Sequence, residues 1–357
     1  MRFDQENLAQ RICFGTGEAA QLVHREVARL GERVLLVASG AESAIAQPLA
    51  ESIPVVATFS DVMMHVPLQS AQRARDAAAR HAADVIVSVG GGSTTGTAKS
   101  VALTSGMPIV CVPTTYAGSE ATNVWGITDE AKKETGTDPR VLPRSIIYDA
   151  ELSRTLPVDF SIASGLNALA HCVDSIWAPR ANPINRTFAL EGIRALCRGL
   201  PQVKADPDAI KGREQMLLAA YLSATAFAAA GSGLHHKLCH VLGGTCGLPH
   251  AETHSVMLPY VLAFNGGTGG IAMGDLANAF GAQTADVGLQ DLRTRVGAPT
   301  RLRDYGLTAD QVTRAAREVM TVLPDGNPRP VAIADIEAIL EAARVGADPQ
   351  TVVRGLS

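Results

Sequence analysis

Short unbroken apolar runs rich in Val and Ile recur through the first half of the chain, at Val34–Ala38, Val55–Phe59, Val85–Val89, Ile109–Val112 and Ile146–Tyr148. Between them Ala41–Glu51, Leu68–Ala82 and Thr94–Leu103 place apolar residues at helical spacing. Strands apolar throughout and separated by helices predict a parallel sheet covered on both faces, hence a doubly wound α/β domain. After Leu156-Pro157 the strand signal stops. Ile162–Trp177, Pro183–Leu200, Lys211–Ala230, Thr308–Leu323 and Ile333–Arg344 all read as helix. The expected fold is therefore α/β plus all-α: an α/β domain over residues 1–155 and a helical domain over 156–357.

The chain's 357 residues exceed one hydrophobic core, which favours two domains over one large one. A formal net charge of −4 without a long basic run points away from nucleic acid and anionic membranes as partners. The N-terminus is polar, and Met216–Ala230, the most apolar stretch, falls short of the roughly 20 residues a bilayer span needs. Six cysteines without CxxC spacing read as reduced thiols of a cytoplasmic protein.

The run Asp84 to Val89 leads into Gly90-Gly91-Gly92-Ser93, and Thr94 opens a helix. Glycines there let a pyrophosphate approach the backbone, and a helix N-terminus offers unpaired N–H groups to it. A plain strand-to-helix turn with glycine chosen for its backbone freedom is the competing reading. A second loop, Pro113 to Glu120, follows the next strand and brings Thr114, Thr115 and Ser119 to the carboxyl end of the sheet, where such folds bind ligands. The first strand ends in Ala38-Ser39-Gly40, with no acidic residue to reject a 2′-phosphate, so NADH and NADPH both stay open.

Histidines concentrate in the second half. Asn167 and His171, His236 and His240, and His250 and His254 are each spaced i,i+4, which puts each pair on one helix face, and His235 adjoins His236. Any one of these reads equally as a hydrogen-bonded core or surface residue. Together they point to a shared polar site, because several buried imidazoles need common partners.

With the glycine loop continuing to Lys99, the Pro113–Glu120 loop, Asp138-Pro139-Arg140, and Gly233 to Gly243 followed by Pro249-His250, the chain resembles the iron-containing (group III) alcohol dehydrogenases over nearly its whole length. Within that family it is similar to the maleylacetate reductase branch. The resemblance implies a dinucleotide-binding domain and a helical domain with the active site in the cleft between them, a cytoplasmic homodimer, and a small dicarboxylate substrate. The implied reaction is NAD(P)H reduction of the carbon-carbon double bond of maleylacetate to 3-oxoadipate in aromatic breakdown.

The family's four metal ligands fall at Asn167, His171, His236 and His250. Asn167 stands where metal-dependent members carry Asp, and Gly96 where alcohol dehydrogenases of the family commonly carry Asp. The resemblance, with no carboxylate at the first position, leads to the expectation of no tightly bound metal. Asn167, His171, His236 and His250 are then expected to hold the dianionic substrate, the histidines through N–H groups. His240 or His254 would supply the proton, with Tyr116 a further donor to the enolate. The dinucleotide is assigned to Ser39, Gly90, Gly91, Gly92, Ser93, Thr94, Thr114, Thr115, Ser119 and Lys133. The alternatives are a metal-dependent alcohol dehydrogenase of the same family, a lyase similar to dehydroquinate synthase, against which the missing carboxylate argues, and a non-catalytic dinucleotide-binding module.

Overall fold

A computed structural model of the chain describes residues 2–129, 132–267 and 271–355. They group into two compact units: Gln5–Pro157 with Pro207–Leu217, and Val158–Asp206 with Leu218 onward and the N-terminal stretch to Asp4.

The first unit runs β1 (Arg11–Phe14), α1 (Ala19–Leu30), β2 (Val34–Val37), α2 (Ser43–Ala50), β3 (Val55–Phe59), α3 (Leu68–Arg80), β4 (Val85–Gly90), α4 (Gly92–Ser105), β5 (Ile109–Pro113), β6 (Val124–Asp129), β7 (Lys132–Thr137) and β8 (Ser145–Tyr148). Six strands form one sheet in the order β1-β8-β5-β4-β2-β3, and every pair in it is parallel. Alternate strand residues face opposite sides, so an inner strand must be apolar at each position. Val34, Leu36, Val85, Val87, Val89, Val110 and Val112 pack with Leu22, Val23 and Val27 of α1 and Leu49 of α2. The residues between them, Leu35, Val37, Ile86, Ile109 and Cys111, pack against Ala74 and Ala78 of α3 and Ala98 and Val101 of α4.

Two strand elements escaped the apolar pattern. In β1 only Cys13 is buried, so an edge strand there leaves no hydrophobic run to read. The antiparallel hairpin β6–β7 carries the polar sequence Lys132 to Thr137 on one arm.

The second unit is helical: α5 (Val158–Ser175), α6 (Pro183–Ala205), α7 (Ile210–Ala230, grouped here from Leu218), α8 (Leu234–Cys246), α9 (His250–Gly266), α10 (Ile271–Phe280), α11 (Ala285–Val296), α12 (Ala309–Val322), α13 (Ile333–Val345) and α14 (Pro349–Arg354). Leu234, Leu238 and Leu242 of α8 lock onto Val256, Tyr260 and Phe264 of α9 and onto Ala315, Val319, Ile336 and Ile339 of α12 and α13. Gly247 ends α8 in the left-handed region at φ 68°, and Pro249 immediately starts α9. That reversal turns the two histidine-bearing helices back along one another. Among the described residues no single helix is long and apolar enough to cross a membrane, and all six cysteines are unpaired.

Candidate active site

Six of the nine histidines meet in the helical unit. On α5, Asn167, His171 and Asp174 share a face at i, i+4 and i+7. His171 stacks on His236 at 4.9 Å between ring centroids and on Phe227 at 4.8 Å. His254 lies 4.8 Å from His236, 4.9 Å from His235 and 4.4 Å from His250. His240 joins through His236 at 6.1 Å and His250 at 6.4 Å. The cluster is graded: Asn167, His235, His236 and His254 are buried, His171 is half-buried, and His240 and His250 are exposed.

Asp174 organises the buried end. Its Oδ2 accepts the Gly233 backbone N–H at 2.8 Å and lies 2.7 Å from His236 Nδ1. Gly233 is required for this approach, because a Cβ there would stand 2.4 Å from Asp174 Oδ1. Burial, then the like charge that protonation would set beside His240, His250 and Lys237, pushes the His236 pKa well below its ordinary value and keeps the ring neutral. A neutral imidazole has one N–H. The contact with Asp174 favours the tautomer that gives it Nδ1–H, which leaves a lone pair on Nε2. In that tautomer His236 turns an acceptor, not an N–H, toward a ligand. Carboxylate-backed imidazole is the arrangement that orients metal-ligating histidines.

His254 and His235 are likewise held neutral, mainly by burial, His235 with its pKa lowered to about 3. His235 Nε2 and His254 Nδ1 share a hydrogen bond of 2.9 Å, and Cys239 Sγ approaches His235 Nε2 at 3.7 Å. These three residues form a compact potential donor group among the described residues. Their facing atoms are already bonded to one another, so they pair internally rather than await a cation. Asn167 Oδ1, His171 Nδ1, His236 Nε2 and His254 Nε2 are buried without a protein partner. So are Asp174 Oδ1 and His235 Nδ1. Unsatisfied buried polar groups are costly, and six in one cluster mark a place for a ligand to supply missing bonds.

The nucleotide-loop residues gather at the carboxyl end of the sheet in the α/β unit. Gly90 closes β4 at φ 149°, a conformation favouring glycine, and Thr114 N donates to Gly90 O at 3.2 Å. Gly91 caps α4 without a side chain to bond its first-turn N–H groups. A Cβ on Gly91 would lie 2.9 Å from Thr115 Cγ2, whereas one on Gly92 would meet Ala117 at 3.6 Å, ordinary contact. Thus Gly91 is the glycine that lets the two loops pack and Gly90 the one that admits Thr94, leaving Gly92 and Ser93 at an uncapped helix N-terminus. Such an end suits a phosphate. Thr94 is buried beneath Gly90, and Thr114 is also buried. Lys99 Nζ donates to Ser119 O, Thr122 O and Val124 O at 2.7–2.8 Å, fixing the second loop on α4.

Gly96 admits the approach of Val66, whose Cγ2 would stand 2.8 Å from a Cβ there. Ser39 follows β2 and caps the short turn Gly40–Glu42. Lys133 pairs with Thr128 in the hairpin; its side chain lies outside the described residues.

Tyr116 departs from its expected role. It is fully buried, and its hydroxyl accepts from Arg213 Nη1 at 3.0 Å. Arg213, also fully buried, gives its other bonds to the carbonyls of Pro207, Ser153, Arg154 and Leu156. The phenol is therefore part of an internal polar lock. Asp174, Phe227 and Arg213 were not singled out from the sequence, although Asp174 sits at helical spacing from both Asn167 and His171.

A family model described as the Fe-containing alcohol dehydrogenase family, C-terminal, matches residues 161–344, and one described as iron-containing alcohol dehydrogenase matches residues 9–150. The chain belongs to the iron-containing alcohol dehydrogenase family. Within it, a maleylacetate reductase from Burkholderia cepacia is 43% identical over 342 residues, 95% of this chain and 97% of its own. An iron-containing alcohol dehydrogenase from Corynebacterium glutamicum superposes with a TM-score of 0.97 at 50% identity, covering 99% of each chain. A maleylacetate reductase from Agrobacterium tumefaciens superposes at 0.93 with 39% identity, covering 98% of this chain and 100% of its own.

Proposed function

We propose that the chain reduces maleylacetate to 3-oxoadipate with NADH or NADPH. The observation that carries this reading is the buried cluster of neutral side chains Asn167, His171, His236 and His254, each with a polar atom that lacks a protein partner. The Asn167 amide and the neutral His171 ring can turn an N–H toward a dicarboxylate, where an acid at position 167 would repel it. The maleylacetate reductases at 38–43% identity supply the particular substrate.

Gly90–Ser93 and the Thr115–Ser119 loop would hold the dinucleotide, which would supply hydride to the carbon β to the ketone. The electron pair of the double bond moves onto the ketone oxygen, and the enolate then takes a proton at the α carbon. Asn167 Nδ2 and the N–H groups of His171 and His250 hold the carboxylates. His254, neutral and bonded to His235, positions the substrate. His240 gives the proton, since it is exposed and exchanges with water, whereas burial leaves His254 no spare proton near neutral pH.

Asn167 Oδ1, His171, His236 Nε2 and His250 fit a divalent cation by donor type, and such an ion would supply Lewis-acid polarisation of the ketone. All four donors are neutral, so the hold is weaker than with a carboxylate, and we propose loose rather than stoichiometric binding. The free His236 Nε2 lone pair keeps a metal-dependent alcohol dehydrogenase as the second reading. Unpaired thiols fit a reducing compartment, and a homodimer is part of the proposal.

Following reduced-nicotinamide absorbance with maleylacetate and with simple aldehydes, each with and without EDTA, separates the two. Maleylacetate turnover that survives EDTA is expected. Aldehyde reduction abolished by EDTA, with no maleylacetate turnover, would overturn the proposal.

A further inference from the structure

The strand end that lacked an acid in the sequence acquires one in three dimensions. After β2 the chain makes the short turn Gly40–Glu42, with Ser39 Oγ accepting the Ala41 N–H at 3.3 Å. The turn carries Glu42 back toward the glycine loop. Ser39 Oγ–H donates to Glu42 Oε2, and Glu42 Oε1 lies 3.1 Å from the point a Cβ on Gly90 would occupy. The carboxylate is half-buried. Among the described residues no lysine or arginine forms an ion pair with it. An unneutralised acid therefore stands at the carboxyl end of β2, against the glycine where β4 turns into α4.

In doubly wound sheets the acid that accepts the adenosine ribose hydroxyls ends the strand beside the one that carries the glycine loop, as β2 stands beside β4 here, and a 2′-phosphate needs a cation there instead. The ribose of NADH offers two hydroxyl donors to Glu42, oriented by Ser39. NADPH would bring a phosphate of about two negative charges against that carboxylate, with no basic partner to offset it. We infer that Glu42 is the specificity residue of this site, selecting NADH and excluding NADPH. The inference rests on the dinucleotide reading above and adds which dinucleotide.

Direct binding tests it without turnover. The purified chain is titrated with NADH and with NADPH, followed by reduced-nicotinamide fluorescence, in parent, Glu42→Gln and Glu42→Ala, with circular dichroism confirming each fold. The parent is expected to bind NADH at least tenfold more tightly than NADPH. Both variants should bring the two affinities to within about threefold, largely by strengthening NADPH. Equal affinities in the parent, or a folded variant that keeps the parental ratio, overturns the assignment while leaving the dinucleotide reading intact. Failure of the parent to bind either dinucleotide overturns both.

Discussion

Replacing Asp174 by Asn tests whether the proton of His236 is committed to Nδ1. Both groups on Asp174 Oδ2, the Gly233 N–H at 2.8 Å and His236 Nδ1 at 2.7 Å, are donors in this assignment. The Asn oxygen must therefore take the Oδ2 position and keep both bonds. Its NH2 then replaces Asp174 Oδ1, an atom buried without a partner. An unpaired buried donor costs about 1–3 kcal/mol, and two charge-assisted bonds fall to neutral strength, roughly half. The sum is a loss of about 3 kcal/mol, readable as a lower urea midpoint at unchanged slope.

The ring should stay where it is, because both bonds persist, but Nε2 loses the charge behind it. Loss of an outer-shell carboxylate lowers metal affinity or activity by about 10–100-fold. Cobalt titration and kcat/KM for maleylacetate read that effect, and histidine-selective nitrogen NMR reads the tautomer itself. Protonated Nδ1 with bare Nε2 is expected for His236 in parent and variant alike. A proton found on Nε2 of the neutral ring in the parent, or a variant within about 0.5 kcal/mol of the parent in stability, refutes the reasoning.

At the glycine loop, Gly91→Val should weaken dinucleotide binding at least tenfold by driving into Thr115, while Gly92→Ala should bind within about twofold of the parent; fluorescence titration distinguishes them. Lys99→Met should cost about 3 kcal/mol by orphaning the carbonyls of Ser119, Thr122 and Val124, measured by urea unfolding. Burial also lowers the Lys99 pKa from 10.5 to about 7. Between those values the unfolded chain holds a proton the folded one lacks, so the parent should gain stability relative to Lys99→Met as pH rises through the window, by up to about 1.4 kcal/mol per unit; a pH-independent difference counts against it. Asn167→Asp should tighten zinc or iron binding and, without metal, raise KM for maleylacetate, since two charges 4 Å apart repel by about 4 kcal/mol at an effective dielectric near 20. A metal-free KM at or below the parent's would remove Asn167 from the substrate carboxylates.

What the sequence could and could not reveal follows from where each property resides. Strands β2, β4 and β5 were legible because burial on both faces makes nearly every position apolar, the hydrogen-bonded Ser88 of β4 excepted, whereas β1 buries only Cys13 and left no such trace. The histidines were legible as a cluster because i,i+4 spacing is a local property of one helix. The chemistry of each ring was not. It depends on partners such as Asp174, 62 residues before His236 in the chain, and Tyr116 owes its buried hydroxyl to Arg213, 97 residues after it. Glu42 was missed for a smaller reason: it lies three residues past Ser39 but returns to the strand end through a turn. Helical spacing shows which side chains share a face, while a neutral imidazole carries one proton whose place is set by its neighbour across the core. Counting histidines therefore overstates the donors available to a dianion. On the proposed function, with His236 an acceptor toward the substrate, the Asn167 amide would add an N–H donor that a carboxylate at that position would not supply.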